Sequence, residues 1–176
     1  MLNGKNIKLR LIKSTDLPLI FEKWHDVEVR GPHYPLAIVP ETLFQQAFAK
    51  DGFWSEGSKR LVIVDGQDNI LGQIHAMSAG YTDCIEISYI LFDLSKRGKG
   101  YTTEAVLLLV DYLFNNKRLN RIQMSIPEGN IASMRVAEKS GFTHEGVARG
   151  AFLLNGEDVD LHNFSLLRKE WKSSLS

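Results

Sequence analysis

The chain has 176 residues, 44% hydrophobic and 24% charged, enough for one domain with a full core. Its formal net charge is zero, which argues against a dominant nucleic-acid surface and leaves no call for a nucleic-acid partner. Cys84 is the only cysteine, so no internal disulfide can form and nothing points to an oxidising compartment. The opening stretch, MLNGKNIKLRLIK, has no long apolar run. It fits neither a signal peptide nor a membrane span, and a cytoplasmic location with no membrane partner follows by default.

Residues Ile7 to Ile12 alternate apolar and charged side chains, the period of a half-buried strand. Ser14, Thr15 and Asp16 offer caps for a helix to about Asp26, with Leu17, Ile20, Phe21 and Trp24 on one stripe. Gly31, Pro32 and Pro35 then break regular structure, and Pro40 suits the first turn of a second helix ending near Asp51. Strands follow at Arg60 to Asp65 and Ile70 to Met77 across a turn-rich link, and a third runs from Cys84 to about Phe92. A strongly apolar helix spans Thr102 to about Asn115, and its run Val106 to Val110 reads as core. Arg121 to Ile126 is a short strand, Asn130 caps a helix that Gly141 stops, and Phe142 is placed to pack back on the last turn. Ala151 to Leu154 and Val159 to Leu167 flank Asn155-Gly156, a hairpin signal. No repeat or linker divides the chain, so residues 1–176 form a single domain. The element order predicts an α+β fold, a mixed sheet covered by helices.

Two helix openings carry the chemistry. Lys96-Arg97-Gly98-Lys99-Gly100-Tyr101 lies between a strand and a helix, with three basic residues in one turn of a neutral chain. Glycine lets backbone approach a phosphate closely, and the helix start offers N–H donors and the positive end of its dipole. Neither P-loop spacing nor the third glycine of a dinucleotide fingerprint occurs, Thr103 standing where that glycine belongs. A plain loop with solvated lysines is the other reading. At the second opening Asn130 and Ser133 share a helix face; they are either a capping pair or ligand contacts. A strand–helix–strand crossover makes strands 84–92 and 121–126 parallel, so both openings lie on one side of the sheet. Two such starts together point to a ligand with phosphates and a reactive tail, read as coenzyme A.

At these residues the chain resembles the GCN5-related N-acetyltransferase (GNAT) superfamily, and within it the RimJ/RimL branch of protein N-terminal acetyltransferases. The acetyl-CoA loop pattern Gln/Arg-x-x-Gly-x-Gly/Ala falls on Ser95 to Gly100, departing at its first position. Gly98-Lys99-Gly100-Tyr101 with Thr103-Glu104-Ala105, Asn130-x-x-Ser133, Glu138 to Phe142, Glu145-Gly146 with Arg149, Leu166 to Trp171, and Trp24 with Asp26-Val27-Glu28 extend the likeness over nearly the whole chain. The resemblance implies a mostly antiparallel twisted sheet whose central parallel pair splays apart. It implies that the pantetheine arm bonds backbone at Ile90, Leu91 and Phe92. The pyrophosphate would sit on Arg97, Gly98, Lys99, Gly100, Tyr101 and Thr102, with Asn130 on the pantetheine and Ser133 near the sulfur.

Acetyl transfer to an amine needs a base, because a free amine of pKa about 8–10 is largely charged at neutral pH. The oxyanion needs donors, and the leaving thiolate, of pKa about 8.5, benefits from an acid. Many superfamily members place a tyrosine late in the second helix as that acid; here Ala137 stands there and Ser133 is the family-consistent substitute. Glu86, on the strand CIEISYILF, is the candidate base if partly desolvated; the other reading points it to solvent. Cys84 reads as a small buried residue, Glu104 as a dipole partner of its helix, and the five histidines show no metal-ligand spacing. His33 and Tyr34 either line the acceptor pocket or form an ordinary surface loop. The expectation is transfer from acetyl-CoA, without metal, to a protein N-terminal amine by direct attack in a ternary complex, in a monomer or homodimer. A small-molecule amine (amino sugar, polyamine or amino acid) or a non-catalytic CoA-binding domain are the alternatives.

Overall fold

The computed structural model describes residues 1–35, 38–79 and 84–172. Among these described residues eight strands form one sheet: β1 (Leu2–Asn3), β2 (Lys8–Leu11), β3 (Ser58–Val64), β4 (Ile70–Ser78), β5 (Cys84–Leu91), β6 (Arg121–Pro127), β7 (Thr143–Leu154) and β8 (Glu157–Leu167). Their spatial order is β1-β2-β3-β4-β5-β6-β8-β7. Every neighbouring pair is antiparallel except β5 and β6. The α+β expectation holds.

Helices α4 (Tyr101–Asn116) and α5 (Ile131–Lys139) cover one face, and α1 (Leu17–His25), α2 (Val27–Arg30) and α3 (Glu41–Asp51) cover the other. The alternation of the central strands makes this possible. Ile63, Ile74 and Ile87 point to the α4 side and Val62 and Phe92 to the α1 side. In the apolar run of α4, Val106, Leu108, Leu109 and Val110 are buried; each such side chain contributes up to about 1.5–3 kcal/mol. Cys84 is also buried and its thiol donates to the Gln123 Oε1.

Three local features depart from expectation. Asp16 stands at the start of α1, yet its carboxylate turns back to accept from Lys13 N at 2.7 Å and from the Arg10 guanidinium. A four-residue helix, α2, follows α1 at once; it is too short to show a period, and the Asp26 side chain caps it through Glu28 N and Val29 N. Strand β7 begins at Thr143 and not near Ala151. The stretch 143–150 carries two glycines and the charged residues Glu145 and Arg149, and its pairing with β8 is irregular on both sides of 146–148. An edge strand tolerates such bulges, which erase the alternation a reader looks for.

The feature that positions the site is the short pairing between β5 and β6. It covers Cys84↔Arg121, Ile85↔Ile122 and Glu86↔Gln123 and goes no further. Strand β5 stays with β4 as far as Gly72↔Leu91, and β6 stays with β8 as far as Pro127↔Leu161. Each strand follows its own antiparallel partner, so the two ends diverge. Among the described residues no helix is long and apolar enough to cross a membrane.

Candidate functional site

A cleft of about 610 Å³ opens where β5 and β6 part. Its walls are the end of β5, the bend before α4, the first turn of α5 and the segment after α2.

The bend is built by two glycines. Gly98 (φ 74°) and Gly100 (φ 86°) both adopt the left-handed conformation that other residues resist. Gly100 caps α4, whose first intrahelical bond is Glu104 N to Gly100 O at 3.0 Å. The amides of Tyr101, Thr102 and Thr103 therefore have no partner within the helix, and all three residues line the cleft. The Asp93 carboxylate fixes the approach by accepting from both Ser95 N and Ser95 Oγ. Arg97 lines the cleft, but its guanidinium donates to the carbonyls of Val29 (2.5 Å) and Leu91 (3.3 Å). It braces the bend against α2 and β5. Lys99 is exposed and does not line the cleft; what it offers is backbone between the two glycines.

The backbone expected along β5 needs one correction. Phe92 N donates to Leu71 O, and the Ile90 carbonyl lies against Gly72. Both residues therefore spend their backbone groups on β4, and the Phe92 side chain is buried in the α1-side core. By the strand's alternation the free edge belongs to Leu91, whose carbonyl meets Arg97, and to Tyr89. Sequence reasoning passed over Tyr89. Counting by two from Leu91 along CIEISYILF was the available signal, but the counting starts only once the partner on the other side is known.

Tyr89 also contributes its side chain. Its hydroxyl donates to the Ser133 carbonyl at 3.4 Å, and burial pushes the phenol up to about 12. The phenol therefore stays protonated near neutral pH and remains a donor. Asn130 Oδ1 accepts from Ser133 N at 3.2 Å, so the pair does cap α5, while both residues also line the cleft. Gly141 (φ 83°) ends that helix, and Phe142 N returns to Ala137 O. Ala137 is fully buried and outside the cleft wall, so the position is packed core and holds no vacancy for a larger ring.

His33 and Tyr34 both line the cleft. The Arg30 guanidinium sits 5.5 Å from the Tyr34 ring centroid. A Cβ on Gly129 would come within 3.4 Å of the His33 ring, and Asn155 Nδ2 donates to Pro32 O. Segment 31–34 thus touches both the approach to α5 and the tip of the β7–β8 hairpin.

Glu86 is not in the cleft wall. It stands at the last paired position of β5 and β6, at the fork itself, and is half-buried. Its Oε2 accepts from Gln123 Nε2 at 2.9 Å and from Ser125 Oγ at 3.3 Å. Glu104 has a role beyond its helix dipole: its carboxylate accepts from Asn6 N (2.8 Å) and Asn6 Nδ2 (2.9 Å), clamping the loop between β1 and β2.

Among the described residues five basic ones line the cleft (Arg30, Lys96, Arg97, Arg135, Lys139) and no acidic one does. With free helix amides and left-handed glycines, the wall fits a polyanionic ligand whose long arm could add to the open edge of β5.

Comparison with known proteins gives the same picture. A family model described as "Acetyltransferase (GNAT) domain" matches residues 6–143. A "Probable N-acetyltransferase YjcK" of Bacillus subtilis (strain 168) is 36% identical over 131 residues, 73% of this chain and 70% of that protein. A spermidine N-acetyltransferase from Vibrio cholerae, solved with CoA and spermine, superposes with a TM-score of 0.82 at 20% identity, covering 93% of this chain and 96% of the other. A ribosomal-protein-S5-alanine acetyltransferase from Vibrio fischeri superposes with a TM-score of 0.78 at 23% identity, covering 97% of each chain. At such identities the two structures speak for the fold.

Proposed function

The chain belongs to the acetyltransferase (GNAT) family, and on that premise we propose that it moves the acetyl group of acetyl-CoA to a protein N-terminal amine by direct attack in a ternary complex. One observation carries the reading: the divergence of β5 from β6 opens onto the glycine bend and free amides that begin α4. The pyrophosphate is assigned to Gly98, Gly100 and the amides of Tyr101 to Thr103. The pantetheine arm is assigned to the free edge at Tyr89 and Leu91, with Asn130 opposite.

The amine nitrogen attacks the thioester carbonyl carbon, forming C–N as C–S breaks. The proton leaving nitrogen goes to Glu86 through an intervening water, since that carboxylate stands at the fork and outside the wall. The departing thiolate takes a proton or a hydrogen bond from the Ser133 hydroxyl, with the protonated Tyr89 phenol alongside. A free β5 amide faces the developing oxyanion. Cys84, buried and bonded to Gln123, takes no part.

The RimJ/RimL-like assignment of the acceptor rests on the motifs Gly98-Lys99-Gly100-Tyr101 with Thr103-Glu104-Ala105 and Asn130-x-x-Ser133. A small amine is the second reading, since the same fold serves a spermidine N-acetyltransferase of Vibrio cholerae. Thiol release from acetyl-CoA over a panel of peptides, polyamines and amino sugars separates them. Free N-terminal peptides are expected to turn over and blocked ones not; a polyamine preference would reverse the assignment.

A further inference from the structure

Arg60, in the middle of β3, is a cation without a paired carboxylate among the described residues. Its guanidinium lies 4.6 Å from the Trp24 ring centroid and 5.5 Å from that of Phe53. Among the described residues no carboxylate pairs with it, and burial pushes its pKa below the ordinary value. Other arginines in the fold are answered: Arg10 by Asp16 and Asp68, Arg121 by Glu145, Arg168 by three backbone carbonyls. Half-burying a cation without a counter-ion is costly; the two aromatic faces offset part of that cost, and a ligand carboxylate would offset the rest.

A second unsatisfied donor stands beside it. Gln73 is 4% exposed; its Oε1 accepts from Trp24 Nε1 at 2.8 Å, while its Nε2 has no partner among the described residues. Trp24 therefore joins the two, carrying Arg60 on its ring and Gln73 at its nitrogen.

The sheet register places both on the face of the sheet shared by Ser88 and Ile90; neither residue is itself in the cleft wall. The pairing Arg60↔His75↔Ser88 crosses three strands and ends on β5, two residues beyond Glu86, where β6 has already left. The adjacent row, Val62↔Gln73↔Ile90, ends on a residue that lines the cleft. Two strand spacings, about 10 Å, separate the backbone of Arg60 from that of Ser88, a gap that a long arginine side chain spans in good part. His75 adds no charge to the row, since burial and the nearby Arg60 hold it down at about 4.

We propose that the acceptor amine carries a carboxylate, which reaches beyond the cleft wall at Ile90 and Tyr34 to the Arg60 guanidinium and the Gln73 amide. The proposal rests on the acyl-transfer reading above and narrows its substrate. A polyamine would instead bring its spare positive charge to a wall that has, among the described residues, five basic side chains and no acidic one. The carboxylate has two sources, an acidic first residue of a polypeptide or a free amino acid.

The test uses matched pairs on the full chain with acetyl-CoA. One pair is aspartyl-alanyl-alaninamide against asparaginyl-alanyl-alaninamide; the other is alanine against alaninamide; spermidine is the cationic control. In at least one pair the carboxylate member is expected to exceed its amide in kcat/KM by about tenfold or more, and the pair that shows it identifies the source. Arg60→Met should erase the difference with the acetyl-CoA Kd unchanged, and Arg60→Lys should restore part of it. Equal rates within both pairs, a spermidine preference, or a preference that survives Arg60→Met would overturn the proposal. A second arm needs no turnover: tryptophan fluorescence of the CoA-saturated chain titrated with glutarate and with glutaramide. Saturable quenching by glutarate alone, lost in Arg60→Met, supports the subsite even if no amine is acetylated, the result that would sink the catalytic reading. Equal responses to the two probes overturn it.

Discussion

The Tyr89 hydroxyl and the Ser133 carbonyl meet at 3.4 Å, tying the free edge of β5 to the first turn of α5. The tie uses the backbone of Ser133, so its hydroxyl is left for the cleft. Ser133→Ala therefore preserves the tie and removes only the proposed donor to sulfur. It is expected to lower kcat about a hundredfold with little change in acetyl-CoA affinity, measured by steady-state kinetics beside calorimetry. Equal loss in both would mean that the hydroxyl binds and does not catalyse.

Glu86→Gln keeps the shape of the side chain and its place between Gln123 and Ser125. If Glu86 draws off the amine proton, kcat falls about a hundredfold or more and KM for acetyl-CoA stays. Wild-type turnover in this variant would leave the fork residue structural.

Gly100→Ala tests the bend. A Cβ there meets nothing within 4 Å, so the effect is conformational: the residue must hold φ 86°. That costs about 1–2 kcal/mol. If the strain falls on the binding conformation, acetyl-CoA affinity drops about five- to thirtyfold, while the melting temperature moves by a few degrees. Unchanged affinity would separate the bend from the phosphates.

Glu145 and Arg121 tie β7 to β6 at the end remote from the cleft. The Arg121 guanidinium, aided by the Ser165 hydroxyl, holds the Glu145 carboxyl down at about 2, against an ordinary 4.5. A depressed acid stabilises the fold above the unfolded value, and the benefit is lost as pH falls from about 4.5 through about 2. The pair is partly exposed and screened, so its worth is under about 1 kcal/mol. Glu145→Gln should be slightly less stable than the parent at pH 7, equal to it near pH 2, and unaltered in turnover. A deficit that persists at pH 2 would assign the loss to packing.

Much of this architecture can be read along the chain because its signals are local. Glycines at 98 and 100 announce a left-handed bend, Asn130 announces a cap, and Asn155-Gly156 announces a tight turn, both of whose residues have positive φ. What cannot be read depends on partners distant in sequence. Which side of β5 is free follows from β4 and β8 each holding one strand of the parallel pair, so Tyr89 stays hidden and Ile90 and Phe92 look equivalent to Leu91. Arg60, Gln73 and Trp24 come from three separate elements and show no spacing that would group them. The first half of β7 escapes because glycines at its bulges break the alternation.

Titration calorimetry of the purified chain with acetyl-CoA, CoA and pantetheine tests the central assignment most directly. The account predicts saturable binding of both acetyl-CoA and CoA, a much weaker response to pantetheine, which lacks the pyrophosphate, and a weakened one to CoA in Gly100→Ala. No heat from either thioester carrier at millimolar concentration, or equal affinity for pantetheine and CoA, would contradict it.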